Sequence, residues 1–326
     1  MLRLHFINVG DGDAILVEHR QGRGVFRLLV DAGRADVGTH PGSRRLTAAA
    51  YLRQKGISRL DAVVVTHLHT DHFEGLAPLL DEVETASVFS GFFPCPPVGR
   101  IVRTGAEEKT VRGLMDCLEQ WADIADRLRV RGTDLRQMDA SLTLPLPGGP
   151  AIEIIVPDPE AVLRQRRVWT ALLAGEQPDP DMVWWSSKSR NPTSLRVRFQ
   201  YAGRRIELAG DCYGAAWEDG AEPCDILKVP HHGDAKALTP RLVRRLRPQH
   251  AVISCAGEYI PRKDRPSAAA VSLLETQGAQ VWFTDGFPRP GRAPDRWQSV
   301  DFIIREDGTI LPPERGKCLA SDCFRI

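Results

Sequence analysis

The sequence lacks the long apolar run, the cysteine framework and the charge excess that mark three common classes of protein. No apolar stretch approaches the roughly 18 residues that a membrane-spanning helix needs. Its seven cysteines are odd in number and form no C-x-x-C pair, which favours reduced thiols over a disulfide scaffold. The 43 basic and 42 acidic residues nearly cancel, so binding to a polyanion must come from local patches. We therefore expect a cytoplasmic protein without a membrane segment.

Histidine is also scarce, yet three of the nine histidines stand in one H-x-H-x-D-H string after the mostly apolar segment Leu60–Val65. His67 and His69 are two residues apart, so their rings point the same way at the end of an extended segment. Asp71 and His72 follow on a turn and can face the same space. Imidazole and carboxylate are ligands that borderline metals such as zinc prefer, and the string favours a metal site over a polar turn.

Three other predicted strands end in Asp or His. Asp31 follows an apolar strand in V-D-A-G, Asp211 follows another in G-D, and His231 and His232 follow a third in P-H-H-G. Each residue alone is more typical of a turn. Together with the histidine string, four such strand ends are the pattern of an active site above a sheet.

Short strand-like segments cluster early in the chain and later alternate with helical periodicity, which favours two mixed sheets flanked by helices. Segments 92–103 and 174–192 are rich in Pro and Gly or irregular, and we interpret both as long loops. Ser267 is a predicted N-cap of a helix that runs to about Gln277.

The order of these motifs resembles the metallo-β-lactamase superfamily. More narrowly, F-I-N-V-G-D-G-D-A at 6–14, N-P-T-S-L at 191–195 and L-K-V-P-H-H-G at 227–233 resemble the hydrolase domain of ComEC-type competence proteins. The resemblance implies an α+β fold, the four-layer αββα sandwich. It also implies one domain over 1–310, with an insertion at about 91–192 and a C-terminal tail at 311–326.

The resemblance further implies one or two divalent ions, zinc or manganese. The implied ligands are His67, His69, Asp71, His72, Asp211 and His232, with Asp211 bridging the ions. The implied catalytic residues are Asp71, Asp211 and His231, the last of which would contact the substrate's oxygens or the leaving group. Residues expected to orient ligands or to contact substrate are Asp31, Asn191, Ser194, Lys228 and Arg265.

Two departures from the family pattern matter. Many members place a further ligand histidine before the bridging aspartate, but no histidine lies between Phe73 and Gly210. Asn191 or a water would fill that position. The ComEC-like branch also commonly carries a His-Pro pair where this chain has Arg265-Pro266. Arg265 would replace that histidine as a cation, unless the site is degraded.

The resulting hypothesis is a metal-dependent phosphodiesterase, most specifically a nuclease that cuts DNA with a metal-activated water, because the resembling branch is associated with degradation of one DNA strand. Three groups of basic residues offer local contacts for nucleic acid: Arg164, Arg166 and Arg167; Arg241, Arg244, Arg245 and Arg247; and Arg262, Lys263 and Arg265. The alternatives are a hydrolase of a small phosphodiester, lactone or thioester, and a non-catalytic binding or regulatory protein that contains metal.

Overall fold

The computed structural model describes residues 1–38, 43–146, 148–256, 265–286 and 297–313. Its strands are β1 Leu2–Ile7, β2 Ile15–Gln21, β3 Gly24–Val30, β4 Arg59–Leu60, β5 Ala62–Val65, β6 Glu84–Thr85, β7 Ser87–Ser90, β8 Asp134–Gln137, β9 Leu142–Pro145, β10 Ala151–Ile155, β11 Arg196–Tyr201, β12 Arg204–Leu208, β13 Ile226–Lys228, β14 His250–Ile253, β15 Gln280–Phe283, β16 Ser299–Ile304 and β17 Ile310–Leu311. Its α-helices are α1 Ala48–Gln54, α2 Thr70–Phe73, α3 Leu76–Leu79, α4 Lys109–Val130, α5 Pro159–Leu173, α6 Pro180–Lys188, α7 Pro240–Leu246 and α8 Ala268–Thr276. Short 3-10 helices lie at Gly214–Ala216, Glu218–Gly220 and Pro230–Gly233.

The first sheet has eight strands in the order β17-β16-β1-β2-β3-β5-β7-β8. Strands β16, β1, β2 and β3 pair antiparallel, whereas β3, β5, β7 and β8 run parallel. Parallel neighbours end at the same edge of a sheet. The residues that follow β3 and β5, Asp31 and Thr66, therefore lie side by side.

The second sheet has seven strands in the order β15-β14-β13-β12-β11-β10-β9. Its strands β12 to β15 are parallel, and β9 to β12 are antiparallel. Asp211 and His231, which follow β12 and β13, therefore lie at the same edge of this sheet. A separate two-stranded pairing joins β4 and β6.

Three apolar cores separate four layers. Between the sheets, alternate residues of β1, β5, β10 and β12 interdigitate, among them Leu4, Val64, Ile154 and Ile206. The opposite face of the first sheet packs on α1, α3, α4 and α5, where Trp121 is fully buried. The outer face of the second sheet packs on α7 and α8. Because side chains alternate between the two faces of a strand, each sheet contributes residues to the apolar cores on both of its faces. The predicted αββα sandwich is confirmed.

Several details differ from the sequence-based expectation. The segment 174–192 is not wholly irregular, because it contains helix α6. Pro180 stands in the first turn, where a missing N–H costs nothing, and the Asp179 side chain accepts hydrogen bonds from the Asp181 and Met182 amides. The proline that suggested a loop therefore begins a helix. Segment 92–103 does lack regular structure, and Ser267 caps α8 by accepting from the Ala270 amide.

No helix within the described ranges is both long and apolar enough to cross a membrane. Two histidines outside the H-x-H-x-D-H string and the P-H-H-G turn, His19 and His250, are buried at 4% exposure each. His19 packs edge-on against Tyr201, and the Trp282 indole N–H donates to His250 Nδ1. Both histidines are structural parts of the strands that carry them.

Candidate metal centre

The H-x-H-x-D-H string connects β5 to α2 at the edge of the first sheet. His67 and His69 leave the strand in extended conformation, and their ring nitrogens Nε2 and Nδ1 are 2.7 Å apart. Helix α2 then turns the chain, so that Asp71 and His72 point back to the same space. Phe73 fixes this turn, because its fully buried ring packs edge-on against Trp121 in the helical core.

Asp211 lies at the centre of the cluster. Its Oδ2 is 3.6 Å from His67 Nε2, and its Oδ1 is 3.4 Å from His72 Nε2 and 3.7 Å from His232 Nε2. Gly210 makes this position possible: its φ is +51°, and a Cβ there would collide with the Ser194 hydroxyl. The second sheet thereby delivers a carboxylate against the histidines of the first sheet.

The P-H-H-G turn places two histidines in the left-handed backbone region. His231 has φ +46° and His232 has φ +53°, which is uncommon for residues with a side chain. The His231 amide donates to the Gly210 carbonyl at 3.1 Å and holds the turn against the end of β12. Backbone strain of this kind persists where the surroundings over-determine it, and here it aims His232 at Asp71 and Asp211.

Three imidazoles are fixed through Nδ1, which leaves their Nε2 atoms turned towards Asp211. His72 donates from Nδ1 to Asp31 at 2.8 Å, and His232 donates to the Ser254 carbonyl at 3.2 Å. The Thr66 hydroxyl donates to Asp31, so His67 Nδ1 donates to Thr66 at 3.1 Å. Such hydrogen bonds select the tautomer and the ring orientation of metal-binding histidines.

The residues of the cluster fit a metal. His72 Nε2, His232 Nε2 and Asp211 Oδ1 are buried without any hydrogen-bond partner, although the two nitrogens lie 3.4 Å and 3.7 Å from Asp211 Oδ1. Buried polar atoms are rarely left unsatisfied, and a divalent cation would satisfy all three. Among the described residues, three groups have ligand atoms within 4.8 Å of one another: His67, His69 and Asp211; Asp71, His72 and His232; and Asp13, His72 and Asp211.

The electrostatics of the cluster also favour a cation. Burial, aided by the Arg190 guanidinium, lowers the pKa of His69 to about 3, and burial holds the pKa of His67 well below its usual range. Both are therefore neutral imidazoles, as ligands must be. Burial opposes a charge on His72, but Asp211 and Asp31 outweigh it and raise its pKa well above the usual value. The carboxylates thus attract positive charge to the Asp211 side of the cluster.

The other predicted site residues lie around this centre. The Ser194 hydroxyl is 3.3 Å from His67 Nδ1 and accepts from the Asp211 amide at 3.2 Å. Asn191 Nδ2 is 3.1 Å from His231 Nε2, and its buried Oδ1 has no hydrogen-bond partner. Arg265 stands further out, with Nε 3.5 Å from Asp234 Oδ2. The structure brings these residues together, and their roles, including Asn191 as the replacement ligand, stay predictions.

Three residues at the centre escaped the sequence analysis. Asp13 is buried and forms an ion pair with Lys228. Arg190 is 5% exposed and donates to the Leu68 carbonyl at 2.8 Å. Tyr213 places its hydroxyl 3.4 Å from Asn191 Nδ2. Asp13 lies within the recognised 6–14 motif, so only its role was missed. Arg190 and Tyr213 carry no spacing signal beyond their nearness to Asn191 and Asp211.

Comparison with known proteins agrees with this geometry. A family model described as the metallo-beta-lactamase superfamily matches residues 7–88, the segment that carries Asp31 and the H-x-H-x-D-H string. The match covers about a quarter of the chain, and that segment is similar to the superfamily. The resemblance agrees with the four-layer fold and with the candidate metal ligands.

Among curated proteins, the chain is similar to ComE operon protein 3 of Bacillus subtilis (strain 168), with 24% identity over 299 residues. The match covers 86% of this chain and 31% of the relative, so the chain spans about a third of that protein's length.

Solved structures also align. Zn(2+)-bound PqqB from Methylobacterium extorquens matches with 11% identity and a TM-score of 0.45, covering 87% of this chain and 98% of that one. Igni18, a metallo hydrolase from the archaeon Ignicoccus hospitalis, matches with 13% identity and a TM-score of 0.43, covering 93% and 99%.

Proposed function

We propose that this chain is a metal-dependent phosphodiesterase that cuts DNA. The hydrolase part of the proposal rests on the buried atoms around Asp211 that have no hydrogen-bond partner. Hydrogen bonds at Nδ1 orient the Nε2 atoms of the histidines towards Asp211. His67, His69 and Asp211 would hold one ion, and Asp71, His72 and His232 would hold a second that shares Asp211. A bound divalent ion supplies an activated water and stabilises negative charge on the reacting group.

The chain's own residues orient and protect this site. Asp31 accepts from His72 and from both the amide and the hydroxyl of Thr66, so one carboxylate fixes two ligand-bearing segments. His231 Nε2 lies 3.7 Å from Asp211 Oδ2, whereas His72 faces the other carboxylate oxygen, Oδ1. Because its pKa is lowered to about 4, by burial first, His231 is neutral and contacts substrate by hydrogen bonding rather than as a cation.

Guanidinium groups near the centre favour an anionic substrate. Arg190 lies behind His69, and within the described residues it has no ion pair with a carboxylate. Arg34 donates to the Thr70 hydroxyl at 3.0 Å, next to Asp71. Arg265 is 20% exposed at the side chain beside Asp234. Three such cations suit a phosphodiester better than a neutral lactone or thioester, because each stabilises negative oxygens.

Support for DNA rather than a small phosphodiester comes from the resemblance to the ComEC-type branch. The basic groups add less than the sequence suggested. Arg166 pairs with Asp139, and Arg241 pairs with Glu218 and Asp219. Arg262 and Lys263 lie outside the described residues. A single domain over 1–310, with the insertion at about 91–192, remains part of the proposal.

The test is a substrate panel with purified protein reconstituted with Zn²⁺ or Mn²⁺. Single-stranded DNA, duplex DNA, RNA, bis-p-nitrophenyl phosphate, a lactone and a thioester are assayed with and without chelator. We expect metal-dependent cleavage of DNA that a chelator abolishes and that weakens with salt. His69→Asn should be inactive, whereas the matched His250→Asn, which changes a buried histidine at the start of β14, should retain activity.

Other outcomes decide between the alternatives. Turnover of bis-p-nitrophenyl phosphate without DNA or RNA cleavage would replace the nuclease by a small-phosphodiester hydrolase. Turnover of the lactone or thioester alone would reject phosphodiester chemistry. Tight metal binding without turnover of any substrate would support the binding or regulatory protein.

A further inference from the structure

Asp13 and Lys228 form a buried ion pair beneath the candidate metal centre. Lys228 Nζ contacts Asp13 Oδ2, and the two residues are 0% and 1% exposed respectively. Asp13 lies in the loop between β1 and β2 of the first sheet, whereas Lys228 is the last residue of β13 in the second. The pair therefore joins the two sheets at the edge where the ligands converge.

Lys228 also holds the end of a third strand. Its Nζ donates to the Gly210 carbonyl at 3.1 Å, and the same carbonyl accepts from the His231 amide at 3.1 Å. Gly210 directly precedes Asp211. One ammonium group thus fixes the backbone beside the central carboxylate and the start of the two-histidine turn.

Asp13 approaches two candidate ligands from behind. Its Oδ1 has no hydrogen-bond partner and lies 3.8 Å from His232 Nδ1, while its Oδ2 lies 3.8 Å from His72 Nδ1. The loop is held close to the string, because the Asp13 amide donates to the Asp71 carbonyl at 3.1 Å and a Cβ on Gly12 would collide with that carbonyl. Asp13 is therefore fixed to both halves of the centre.

The ion pair is not an efficient way to stabilise the fold. Two charges taken out of water lose their hydration, and apolar side chains of similar volume often stabilise as well or better. Carboxylates behind ligand histidines, by contrast, typically change metal affinity by 10–100-fold. The arrangement around Asp13 matches this second use.

We infer that Asp13 and Lys228 are a positioning pair that sets the affinity and the coordination geometry of the ion held by Asp71, His72 and His232. Lys228 fixes the Gly210 carbonyl and thereby Asp211 and the two-histidine turn. Asp13 places a negative charge behind His72 and His232. The inference rests on the proposed metal site, but it concerns residues that are not themselves among its six ligands.

The test uses Co²⁺, whose visible absorption reports ligand geometry, together with metal affinity measured by competition with a chromophoric chelator. Asp13→Asn, Lys228→Met and the double variant are compared with wild type. We expect Asp13→Asn and the double variant to bind the more weakly held Co²⁺ about 10–100-fold less tightly and to shift its absorption bands. Urea unfolding in the presence of chelator measures the stability of each variant separately from metal.

Arg196→Met is the matched control. Arg196 on β11 pairs through Nη1 with the fully buried Glu207 on β12 at 2.7 Å, so its loss also removes a buried cation from the sheet that carries Lys228. This variant should lose stability and keep wild-type Co²⁺ affinity and spectrum. The same affinity and spectrum in Asp13→Asn as in wild type would overturn the inference, as would a double variant that regains both.

Failure of the inference can be told from failure of the proposed metal site. Wild type that takes up no Co²⁺ or Zn²⁺ contradicts the site itself. Wild type that binds metal, with variants that bind it equally well, contradicts only the positioning pair. If Lys228→Met does not fold, the near-isosteric Asp13→Asn and the charge-neutral double variant still decide.

Discussion

The molecule has two buried clusters of histidine and carboxylate, one around His5 on the first sheet and one around Asp211 between the two sheets, and they differ in how their polar atoms are satisfied. Around His5 every ring nitrogen has a partner: Nε2 meets Glu18 at 3.3 Å, and Nδ1 lies 2.9 Å from the Tyr51 hydroxyl and 3.1 Å from Asp301. Around Asp211, by contrast, ring nitrogens and a carboxylate oxygen lack any partner. The His5 cluster is closed, and the Asp211 cluster is open to a ligand.

The comparison teaches that burial of charged groups does not by itself mark a functional site. Both clusters combine a fully buried histidine with carboxylates, and burial with nearby charges shifts the pKa values in both. What distinguishes them is the count of unsatisfied atoms, because a structural network closes on itself. A variant of one cluster can therefore be judged against a matched variant of the other.

The largest expected effect comes from Asp211→Ala. Removing the carboxylate that both ligand groups share should lower phosphodiesterase activity at least about a thousandfold, since even one preorganised catalytic donor contributes 10²–10³-fold. His231→Ala should lower it less, because His231 only faces Asp211 and is no ligand in the proposal. Elemental analysis gives the metal content of each variant. Equal metal content in wild type and Asp211→Ala would contradict the bridging role.

His5→Asn tests the closed cluster. It leaves Glu18 and Asp301 without their shared partner, so we expect the free energy of unfolding to fall by about 3 kcal/mol, as for a broken buried ion pair. Metal affinity and kcat should stay at wild-type values. Urea unfolding and Co²⁺ titration measure the two properties. A loss of metal binding in this variant would contradict the division between the clusters.

The pH dependence of the His5 contribution follows from the two shifted pKa values. Burial opposes ionisation of Glu18, but hydrogen bonds from His5 and Arg27 outweigh it and lower its pKa from 4.5 to about 2. Its stabilisation is present above pH 4.5 and is lost as pH falls towards 2. The pKa of His5 is raised above 6.5, against burial, by Asp301 and Glu18, so its contribution is lost as pH rises through the raised value.

The difference in unfolding free energy between wild type and His5→Asn should therefore be largest between about pH 4.5 and 6.5. It should shrink on both sides of that window. Urea unfolding of both proteins across pH 3–9 measures this difference. Chelator is present so that metal binding at the open cluster does not contribute to stability. A difference that does not change with pH would show that His5 stabilises by packing alone.

Metal removal should affect only the open cluster. Saturation with an ion at about 100 times its Kd stabilises the folded state by about 2.7 kcal/mol, so a chelator should lower the free energy of unfolding by roughly that amount. His72→Asn should abolish this metal-dependent part, whereas His5→Asn should keep it. A stability of wild type that does not respond to chelator would argue against a metal held between folded elements.

The sequence predicted which side chains lie together, because their spacing is local, and their roles as ligands stay predictions. Two residues along an extended segment bring His67 and His69 to one side, and strand ends collect Asp31, Asp211 and the two-histidine turn. It did not predict the closed cluster, because His5, Tyr51 and Asp301 are joined only by tertiary packing. Strand β8, Asp134–Gln137, was missed because its largely polar edge sequence shows no apolar alternation.

The smallest expected effects come from a matched pair of tyrosines, one beside each cluster. The Tyr51 hydroxyl contacts His5 Nδ1 at 2.9 Å and Ser299 Oγ at 2.7 Å, so both partners are internal. The Tyr213 hydroxyl has only Asn191 Nδ2, at 3.4 Å, as a hydrogen-bond partner within the described residues, and its ring stands edge-on to His231. Its proton is therefore available to a bound substrate.

Tyr51→Phe should lower the free energy of unfolding by about 1 kcal/mol, the usual net contribution of one buried hydrogen bond, and leave turnover unchanged. Tyr213→Phe should do the reverse, with near wild-type stability and a severalfold lower kcat on DNA. If Tyr213 donates to the leaving oxygen, its loss matters more for a nucleoside leaving group, which needs a proton, than for p-nitrophenolate. An equal loss of kcat with both substrates would indicate that Tyr213 contacts a non-leaving oxygen. An unchanged kcat with both substrates would contradict a role for Tyr213 in turnover.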